Sequence, residues 1–207
     1  MTGFLSGLIT KLYRDEEVLK TPVVVDAFRR IDRIDFVPEK FKKDAYGDFP
    51  LPIGYGQSTV RPYTAAFMLE HLCLTKGQTV LEVGAGSCWM AALMGYIVGN
   101  TGHVYAVERI PELTAFGKEN LAKYNLPHVE VLPTGNTLGL PEHSPYDRVV
   151  VSASTDVLPQ ELVEQLTVGG IMIIPIGPYI CRITRTSAQN HTTERFKGFA
   201  FVPLVGS

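Results

Sequence analysis

Short apolar runs recur along the last two thirds of the chain, and most of them are followed by segments in which apolar residues return at helical spacing. The runs have the length of single strands: TVLEVG (79–84), HVYAVE (103–108), VEVLPT (129–134), RVVVSA (148–153) and GGIMIIPIG (169–177). Strands that alternate with helices form a parallel sheet that is covered on both faces. The pattern therefore predicts an α/β fold.

Two further strand-like runs near the end of the chain break this alternation. CRITRTS (181–187) and RFKGFAFVPL (195–204) are separated by only a few polar residues. A connection this short cannot hold a crossover helix, so the two runs should pair in antiparallel fashion. The predicted sheet is mostly parallel, with an antiparallel hairpin at one edge.

The first third of the chain has a helical pattern that gives way to a long irregular stretch. Thr21 and Pro22 predict the start of a second helix, with Thr21 as its cap. From residue 36 to residue 61 prolines and glycines dominate, as in DFPLPIGYG. A loop of this length in a compact domain is usually functional or disordered, and its aromatic and aliphatic residues argue against disorder. The first helix is predicted from Phe4, Leu5, Leu8, Ile9 and Leu12.

Composition limits the domain count and the classes of partner. A chain of 207 residues with 45% hydrophobic and 19% charged residues predicts one globular domain. We expect residues 1–60 to supply N-terminal helices and a substrate loop, and residues 78–207 to form the Rossmann-like core. A net charge of −2 disfavours nucleic acid as a partner. No apolar run approaches the ~18 residues of a membrane helix.

Cysteine and histidine usage indicates the compartment and excludes some chemistry. Three cysteines, distant from one another, predict a reducing cytoplasm. The first residues lack the basic start of a signal peptide. The scattered histidines form no ligand pair, so we expect no metal, and the absence of a G-x-S-x-G motif argues against a serine hydrolase. No heptad seam is evident, which favours a monomer.

A glycine loop follows the first core strand and is paired with a distant acid. Gly84 and Gly86 let the backbone turn sharply and approach a ligand where strands of such sheets end. Glu108 ends the next strand about 20 residues later, which is the spacing at which an acid meets ribose hydroxyls. The pair indicates a cofactor that contains a nucleoside. The alternative is a tight strand-to-helix turn with a solvated acid nearby.

The loop favours S-adenosylmethionine over a dinucleotide such as NAD. The third glycine of G-x-G-x-x-G is absent, because Trp89 stands in its place, and this weakens a pyrophosphate site at the helix end. Glu82 lies inside the preceding strand, and its negative charge suits an amino group or a sulfonium. A dehydrogenase stays as a remote alternative.

Several segments in a fixed order resemble one family, the protein-L-isoaspartate (D-aspartate) O-methyltransferases. The likeness runs nearly end to end through RIDRIDFVPE, AYGDFPLPIGYGQ, VLEVGAGS, VYAVERIPEL, PYDRVVVSA, LVEQLTVGGIMIIPIG and FAFVPLVG. The resemblance implies a Rossmann-like class I methyltransferase sheet of seven strands. It also implies methyl esterification of isoaspartyl residues in damaged proteins, with S-adenosyl-L-methionine as donor. The ester then closes to a succinimide without enzyme help, and part of it reopens as normal aspartate.

The resemblance also implies a role for individual residues, position by position. The cofactor-binding positions are Gln57, Glu82, Gly84, Ala85, Gly86, Ser87, Glu108, Arg109, Asn136 and Thr137. The catalytic positions beside the methyl-transfer centre are Ser58, Thr59 and Val60. The substrate-binding positions are Pro52, Ile53, Arg61, Phe201, Val202, Pro203 and Leu204. Arg61 also suits this role by itself, because a guanidinium can bind a carboxylate through two hydrogen bonds.

Three departures from the family pattern leave the acceptor open. Val60 stands where the family has a serine that faces the acceptor carboxylate, Asn136 replaces an aspartate beside the adenine, and Cys88–Trp89 replaces Gly-Tyr. A carboxylate with a pKa of ~4 is ionised at neutral pH, so no general base is needed. Losing one hydrogen bond to a charged partner costs ~1.5–3 kcal/mol, up to about a hundredfold in rate.

Val60 therefore need not abolish activity, since Ser58 or Thr59 could supply a shifted hydroxyl. Two alternatives remain. One is a paralogue that methylates a different carboxylate or hydroxyl acceptor. The other is a non-catalytic module that binds S-adenosylmethionine.

Overall fold

The computed structural model describes residues 3–204. The helices are α1 Gly3–Thr10, α2 Pro22–Arg30, α3 Pro62–Leu72, α4 Trp89–Val98, α5 Pro111–Leu121 and α6 Gln160–Glu164. The strands are β1 Leu51–Gly54, β2 Gln57–Thr59, β3 Thr79–Val83, β4 His103–Glu108, β5 Val129–Pro133, β6 Tyr146–Val151, β7 Leu166–Ile176, β8 Tyr179–Arg185 and β9 His191–Lys197. A π-helical turn, Lys11–Asp15, extends α1, and 3-10 helices lie at Arg33–Phe36, Glu39–Asp44 and Pro141–His143.

Seven strands form one sheet in the order β5-β4-β3-β6-β7-β8-β9. The first five are parallel, whereas β8 and β9 run antiparallel to their neighbours. This confirms the predicted α/β fold with an antiparallel hairpin at one edge. From β3 the chain passes first to β4 on one side and later to β6 on the other. The carboxyl ends of these three strands therefore border the crevice where ligands of such sheets bind.

The second strand of the terminal hairpin ends earlier than the sequence pattern predicts. The run at 195–204 contributes only its first residues to β9, which starts at His191. Gly198 then adopts φ +102°, a left-handed conformation that suits glycine and turns the chain out of the sheet. As a result, residues 199–204 leave the sheet edge and reach the carboxyl ends of the strands.

The helical start of the chain is as predicted, but α2 is capped differently. Thr21 precedes α2, yet its hydroxyl makes no capping bond to that helix. It donates instead to Glu70 Oε2 at 2.6 Å, while the amides of Lys20 and Thr21 donate to Glu70 Oε1 at 2.7 and 2.8 Å. The carboxylate belongs to α3, a helix that the sequence analysis did not predict. It thus ties the start of α2 to a helix about fifty residues away in the chain.

The N-terminal helices cover one face of the sheet together with α4. Buried residues of this layer include Leu12 and Phe28, which share a core with Trp89, Val80 and Val104. The rings of Phe28 and Trp89 meet edge to face, with their centroids 5.6 Å apart. A second core on the opposite face contains Leu81, Val83, Val107, Val149 and Leu162. No helix between residues 3 and 204 has the length and apolar character needed to cross a membrane.

Candidate active site

A cavity of about 610 Å³ opens where β3, β4 and β6 end. Its size is that of a site for a small molecule or cofactor. The sequence-predicted residues in its lining are Gln57, Ser58, Thr59, Val60, Glu82, Gly84, Ala85, Gly86, Ser87, Glu108, Arg109, Asn136, Thr137, Ile53, Arg61, Phe201, Val202, Pro203 and Leu204. Pro52 is an exposed residue of β1 and does not line the cavity. Thr64 and Ser152 line it as well, although the sequence analysis did not predict them.

The glycine loop approaches the cavity through its backbone. The amides of Gly84 and Ala85 both donate to the carbonyl oxygen of Val107, at 2.9 and 3.1 Å, which folds the loop against β4. Gly86 has φ +53°, and a Cβ at this position would lie 3.1 Å from Ile53 Cδ1. The loop therefore needs glycine at 86 both for its conformation and for the close approach of Ile53.

Glu108 is held by the backbone on both sides of its carboxylate. Oε2 accepts from the Gly86 amide at 2.8 Å, and Oε1 accepts from the Ile110 amide at 2.9 Å. Each oxygen of an ionised carboxylate can accept a second hydrogen bond. The geometry orients the group while leaving acceptor capacity on both oxygens, which suits a pair of neighbouring hydroxyls.

Glu82 is a buried carboxyl group with one oxygen unused. Its side chain is only 1% exposed, Ser152 Oγ donates to Oε1 at 3.2 Å, and Oε2 has no hydrogen-bond partner among residues 3–204. Burial raises the pKa of Glu82 to about 8, although the hydrogen bond from Ser152 acts in the opposite direction. A buried acidic oxygen without a partner needs a donor or a positive charge. A cationic group of a ligand, such as the amino group of S-adenosylmethionine, would supply both.

The remaining residues predicted for the cofactor differ in burial. Ser87 is buried, and its carbonyl oxygen accepts from Asn120 Nδ2 at 3.2 Å. Arg109, Asn136 and Thr137 are exposed at the cavity rim. The structure therefore brings all three to the cavity, and their contacts with a cofactor stay a prediction.

The departure at Cys88 and Trp89 has a packing explanation. Cys88 is buried in a left-handed conformation, with φ +66°, and burial raises the pKa of its thiol well above the usual value. It fills the space opposite Gly117, where a Cβ would lie 2.3 Å from Cys88 Sγ. Trp89 belongs to the core beneath the N-terminal helices. The pair therefore has a role in packing, and a protonated, buried thiol is unreactive.

A small hairpin forms the opposite side of the cavity. Strands β1 and β2 pair with Leu51 opposite Thr59 and Pro52 opposite Ser58. Three consecutive positive φ angles, at residues 54–56, make its turn. The hairpin carries Ile53 across to Gly86 of the glycine loop. The stretch 36–61 thus contains more regular structure than the sequence pattern predicts.

Arg33 holds this hairpin and the loop before it. Its guanidinium is 1% exposed and donates at 3.0 Å to the carbonyl oxygens of Ala45, Gly47, Phe49 and Val60. Buried carbonyl groups need such donors, and this loop has few backbone partners of its own. One side chain therefore fixes both ends of the segment that borders the cavity.

Arg33 could not be singled out from the sequence, because an arginine in RIDRID, which has two arginines and two aspartates, resembles a solvated charge. The guanidinium also lies over the ring of Trp89, with its Cζ atom 5.2 Å from the ring centroid. Burial lowers the pKa of Arg33 to about 10, with the charge of Asp48 acting in the opposite direction, so the group stays charged at neutral pH. The one signal in the sequence was the long irregular stretch at 36–61, whose many backbone carbonyl groups need hydrogen-bond donors.

The three positions predicted to be catalytic face different surroundings. The Thr59 hydroxyl donates to the carbonyl oxygen of Val60 at 3.0 Å and lies 3.5 Å from Arg33, so it is engaged on the loop side. The Ser58 hydroxyl has no hydrogen bond within residues 3–204. Val60 contributes an apolar surface that packs against the main core. Of the two hydroxyls predicted as substitutes for the family serine, Ser58 is the available one.

Arg61 is committed to an ion pair with Asp48. Its Nε and Nη2 atoms donate to the two carboxylate oxygens at 3.3 and 2.5 Å, and the Tyr63 amide donates to Asp48 Oδ1 at 2.8 Å. Burial alone would raise the pKa of Asp48, but the hydrogen bonds from Arg61 and Tyr63 hold it below its ordinary value. Arg61 lines the cavity, yet the predicted substrate-binding group already has a partner.

The segment after β9 forms a third side of the cavity. The Ser154 amide donates to the carbonyl oxygen of Val202 at 2.8 Å, and the Leu204 amide donates to that of Ser154 at 2.7 Å. These two bonds dock residues 202–204 beside the end of β6. The last residues of the FVPLVG motif, Val205 and Gly206, lie outside the described residues. Residues 3–204 contain no cluster of three or more acidic, histidine or cysteine side chains that could hold a metal.

A family model and many relatives match this chain. The family described as protein-L-isoaspartate(D-aspartate) O-methyltransferase matches residues 6–207. A protein-L-isoaspartate O-methyltransferase of Methanothrix thermoacetophila is 45% identical over 185 residues, which are 88% of each chain. One from Pyrococcus horikoshii is 40% identical over 201 residues, 95% of this chain and 90% of the relative.

Two solved structures share the fold over nearly the whole chain. A Plasmodium falciparum protein assigned as a protein-L-isoaspartate O-methyltransferase, crystallised with S-adenosyl-L-homocysteine, aligns with a TM-score of 0.88 at 23% identity and covers 100% of both chains. Another protein-L-isoaspartate O-methyltransferase aligns with a TM-score of 0.85 at 25% identity, covering 98% of this chain and 66% of that one. The chain belongs to the protein-L-isoaspartate (D-aspartate) O-methyltransferase family.

Proposed function

We propose that this protein transfers a methyl group from S-adenosyl-L-methionine to the free carboxylate of isoaspartyl residues in peptides and damaged proteins, as a step of protein repair. The observation that carries the proposal is the buried, unpartnered oxygen of Glu82, which shares one cavity with the glycine loop and with Glu108. This combination suits an adenosine with a cationic tail. Family membership supplies the acceptor class.

The cofactor would be held by groups at the ends of β3 and β4. Glu108 would accept the ribose hydroxyls, and the glycine loop at 84–87 would pass along the tail of the cofactor. Glu82 would accept from the amino group, while Asn136 and Thr137 would border the adenine. The bound cofactor supplies an electrophilic methyl group on a positively charged sulfur.

The protein groups on the other side would position the acceptor and exclude water. The acceptor carboxylate is already ionised at neutral pH, so no residue of the cavity has to remove a proton. Catalysis then depends on alignment and on a dry site. Ser58 has a free hydroxyl for the acceptor, and the apolar surfaces of Val60, Ile53 and Phe201 would keep water away from the reacting atoms. Pro52 and residues 202–204 would contact the peptide around it.

We also propose that the chain acts as one methyltransferase domain and as a monomer in the cytoplasm. Residues 1–60 would shape the substrate side, and residues 78–207 would form the cofactor side. The three cysteines are free thiols, which agrees with a reducing compartment. The small negative net charge supports peptides rather than nucleic acid or membranes as partners.

A labelled-methyl assay tests the proposed function. Purified protein is incubated with radiolabelled S-adenosyl-L-methionine and either an isoaspartyl peptide or its normal aspartyl counterpart. We expect base-labile methyl ester only on the isoaspartyl peptide. Transfer to another acceptor alone would support the paralogue, and cofactor binding by calorimetry without any transfer would support the non-catalytic module.

A further inference from the structure

Thr64 is a buried polar residue at the start of α3 that no predicted role uses. It is 5% exposed and lines the cavity beside Val60 and Arg61. Its hydroxyl makes no hydrogen bond within the described residues. The hydroxyl oxygen keeps some accessible surface, since it is not one of the fully buried side-chain atoms without a partner in residues 3–204. The free hydroxyl therefore has access to the cavity.

The other polar groups of this side are already engaged or less enclosed. The Arg61 guanidinium pairs with Asp48, and the Thr59 hydroxyl donates to the carbonyl oxygen of Val60. Ser58 has a free hydroxyl, but it lies on the hairpin and is only half-buried. Thr64 differs because it belongs to a helix of eleven residues and its side chain is almost fully enclosed. A rigid, dry donor positions a ligand better than an exposed one does.

The position of Thr64 in the helix adds an electrostatic argument. It is the third residue of α3, and the amino end of a helix favours negative charge. The Tyr63 amide donates to Asp48, whose charge is balanced by Arg61. The pair is neutral overall, so it does not oppose a second carboxylate on the cavity side of the same helix end.

We propose that the Thr64 hydroxyl donates a hydrogen bond to the acceptor carboxylate and so replaces the serine that the family has at position 60. Thr64 lies four residues after Val60, in the first turn of α3, and both residues line the cavity. The exchange moves the hydroxyl from the loop to the helix and leaves an apolar surface at Val60. This inference rests on the proposed function, because it assigns a contact to the same acceptor.

The test compares Thr64→Val with Thr64→Ser. T64V keeps the shape of a buried side chain and removes the donor, so kcat/KM for an isoaspartyl peptide should fall about ten- to a hundredfold, mainly through KM. T64S keeps the donor and should recover most of that loss. The affinity for S-adenosyl-L-homocysteine, measured by calorimetry, should not change. The matched control is Thr155→Val, which alters an equally buried threonine outside the cavity.

A second measurement does not depend on turnover. Binding of an isoaspartyl peptide to protein saturated with S-adenosyl-L-homocysteine should weaken in T64V by the same factor, and V60S in the T64V background should restore it. Equal peptide affinity of wild type and T64V would overturn the role of Thr64, as would a T64S variant as weak as T64V. If the wild type transfers no methyl group, the proposed function is overturned. The role of Thr64 is still tested in that case, because peptide binding by wild type and T64V is measured without turnover.

Discussion

The two sides of the cavity are built by different means. The cofactor wall, residues 82–87 and 108–110, consists of strand ends whose shape is fixed by backbone hydrogen bonds to the neighbouring strand, such as those that join Gly84 and Ala85 to Val107. The acceptor wall, residues 45–64 and 200–204, consists of loops, a hairpin and the start of α3. Its loops and hairpin are held by side-chain hydrogen bonds, above all those of Arg33.

The difference indicates which half of the site can change without loss of the fold. The cofactor wall is continuous with the central sheet, so altering it disturbs β3 and β4 directly. The acceptor wall depends on a few polar contacts, and its residues can be exchanged as long as those contacts persist. Of the three departures from the family pattern, Val60 lies in the acceptor wall, whereas Asn136 and the Cys88–Trp89 pair lie on the cofactor side but outside residues 82–87 and 108–110.

The largest effect should come from removing the guanidinium that holds the acceptor wall. Arg33→Met leaves four carbonyl groups without their donor, each of which costs ~1–3 kcal/mol when buried and unpaired. We expect the free energy of unfolding in urea to fall by about 3 kcal/mol or more. Misplacing the acceptor by about 1 Å should reduce methyl transfer about a hundredfold.

The comparison of the walls requires that R33M leave the cofactor wall intact. We expect its affinity for S-adenosyl-L-homocysteine, measured by calorimetry, to stay within about tenfold of wild type. The control is Arg195→Met, since Arg195 is exposed on β9 and its loss should change stability by less than about 0.5 kcal/mol. If R33M lost cofactor and peptide affinity in equal measure, the two walls would not be independent.

A smaller effect is expected from strain in the cofactor wall. Gly86→Ala places a side chain at φ +53°, which costs ~1–2 kcal/mol, and pushes on Ile53. Affinity for S-adenosyl-L-homocysteine should drop about tenfold. Gly177→Ala is the control, because Gly177 has a φ of +52°, no atom within 4 Å of the added carbon, and a position outside the cavity lining. The control variant should lose a similar amount of stability and keep its affinity for S-adenosyl-L-homocysteine. Equal losses of cofactor affinity in both variants would contradict the special role of Gly86.

The smallest effect at neutral pH concerns the protonation of Glu82. Its raised pKa of about 8 means that the free protein holds a proton there at pH 7. A cationic ligand favours the ionised form, so affinity for S-adenosyl-L-methionine should rise with pH and level off above 8. Glu82→Gln should abolish that dependence and weaken binding only a few-fold at pH 7. Calorimetry in buffers of different ionisation enthalpy would detect the released proton.

In the free protein, raising the pH has the opposite effect on folding: the contribution of Glu82 to the free energy of unfolding falls with pH, whereas cofactor affinity rises. Because the folded state keeps a proton that the unfolded chain loses at an ordinary carboxyl pKa, Glu82 stabilises the fold at low pH. That contribution declines as the pH rises toward 8. Wild-type stability that did not fall relative to E82Q over this range would contradict the raised pKa.

The sheet and the cofactor wall could be predicted because their determinants follow regular patterns and a fixed spacing along the chain. Apolar runs marked the strands, and β4 was predicted with its observed bounds. The spacing between the glycine loop and Glu108 indicated a nucleoside before any contact was known. These features depend on residues that are close in the chain or lie at a fixed distance in a repeated unit.

The acceptor wall was harder to predict because its contacts are individual side-chain hydrogen bonds with no regular spacing along the chain. Nothing near Arg33 in the chain shows that its partners lie at 45–60, and nothing near Thr21 shows that its hydroxyl binds Glu70. The helix α3 was missed because the loop pattern before it runs directly into Pro62. Family resemblance placed most of the site residues in the cavity but could not tell that Arg61 was already paired.

The docking of residues 202–204 has a consequence for how a protein-sized substrate gains access. Within residues 3–204, only two backbone hydrogen bonds, both to Ser154, join this stretch to the end of β6. Amide hydrogens held in this way exchange through local opening, at a free energy far below that of global unfolding. We expect this side of the cavity to swing aside without loss of the sheet, so that an isoaspartyl site in the middle of a chain can enter laterally, with no free end to thread.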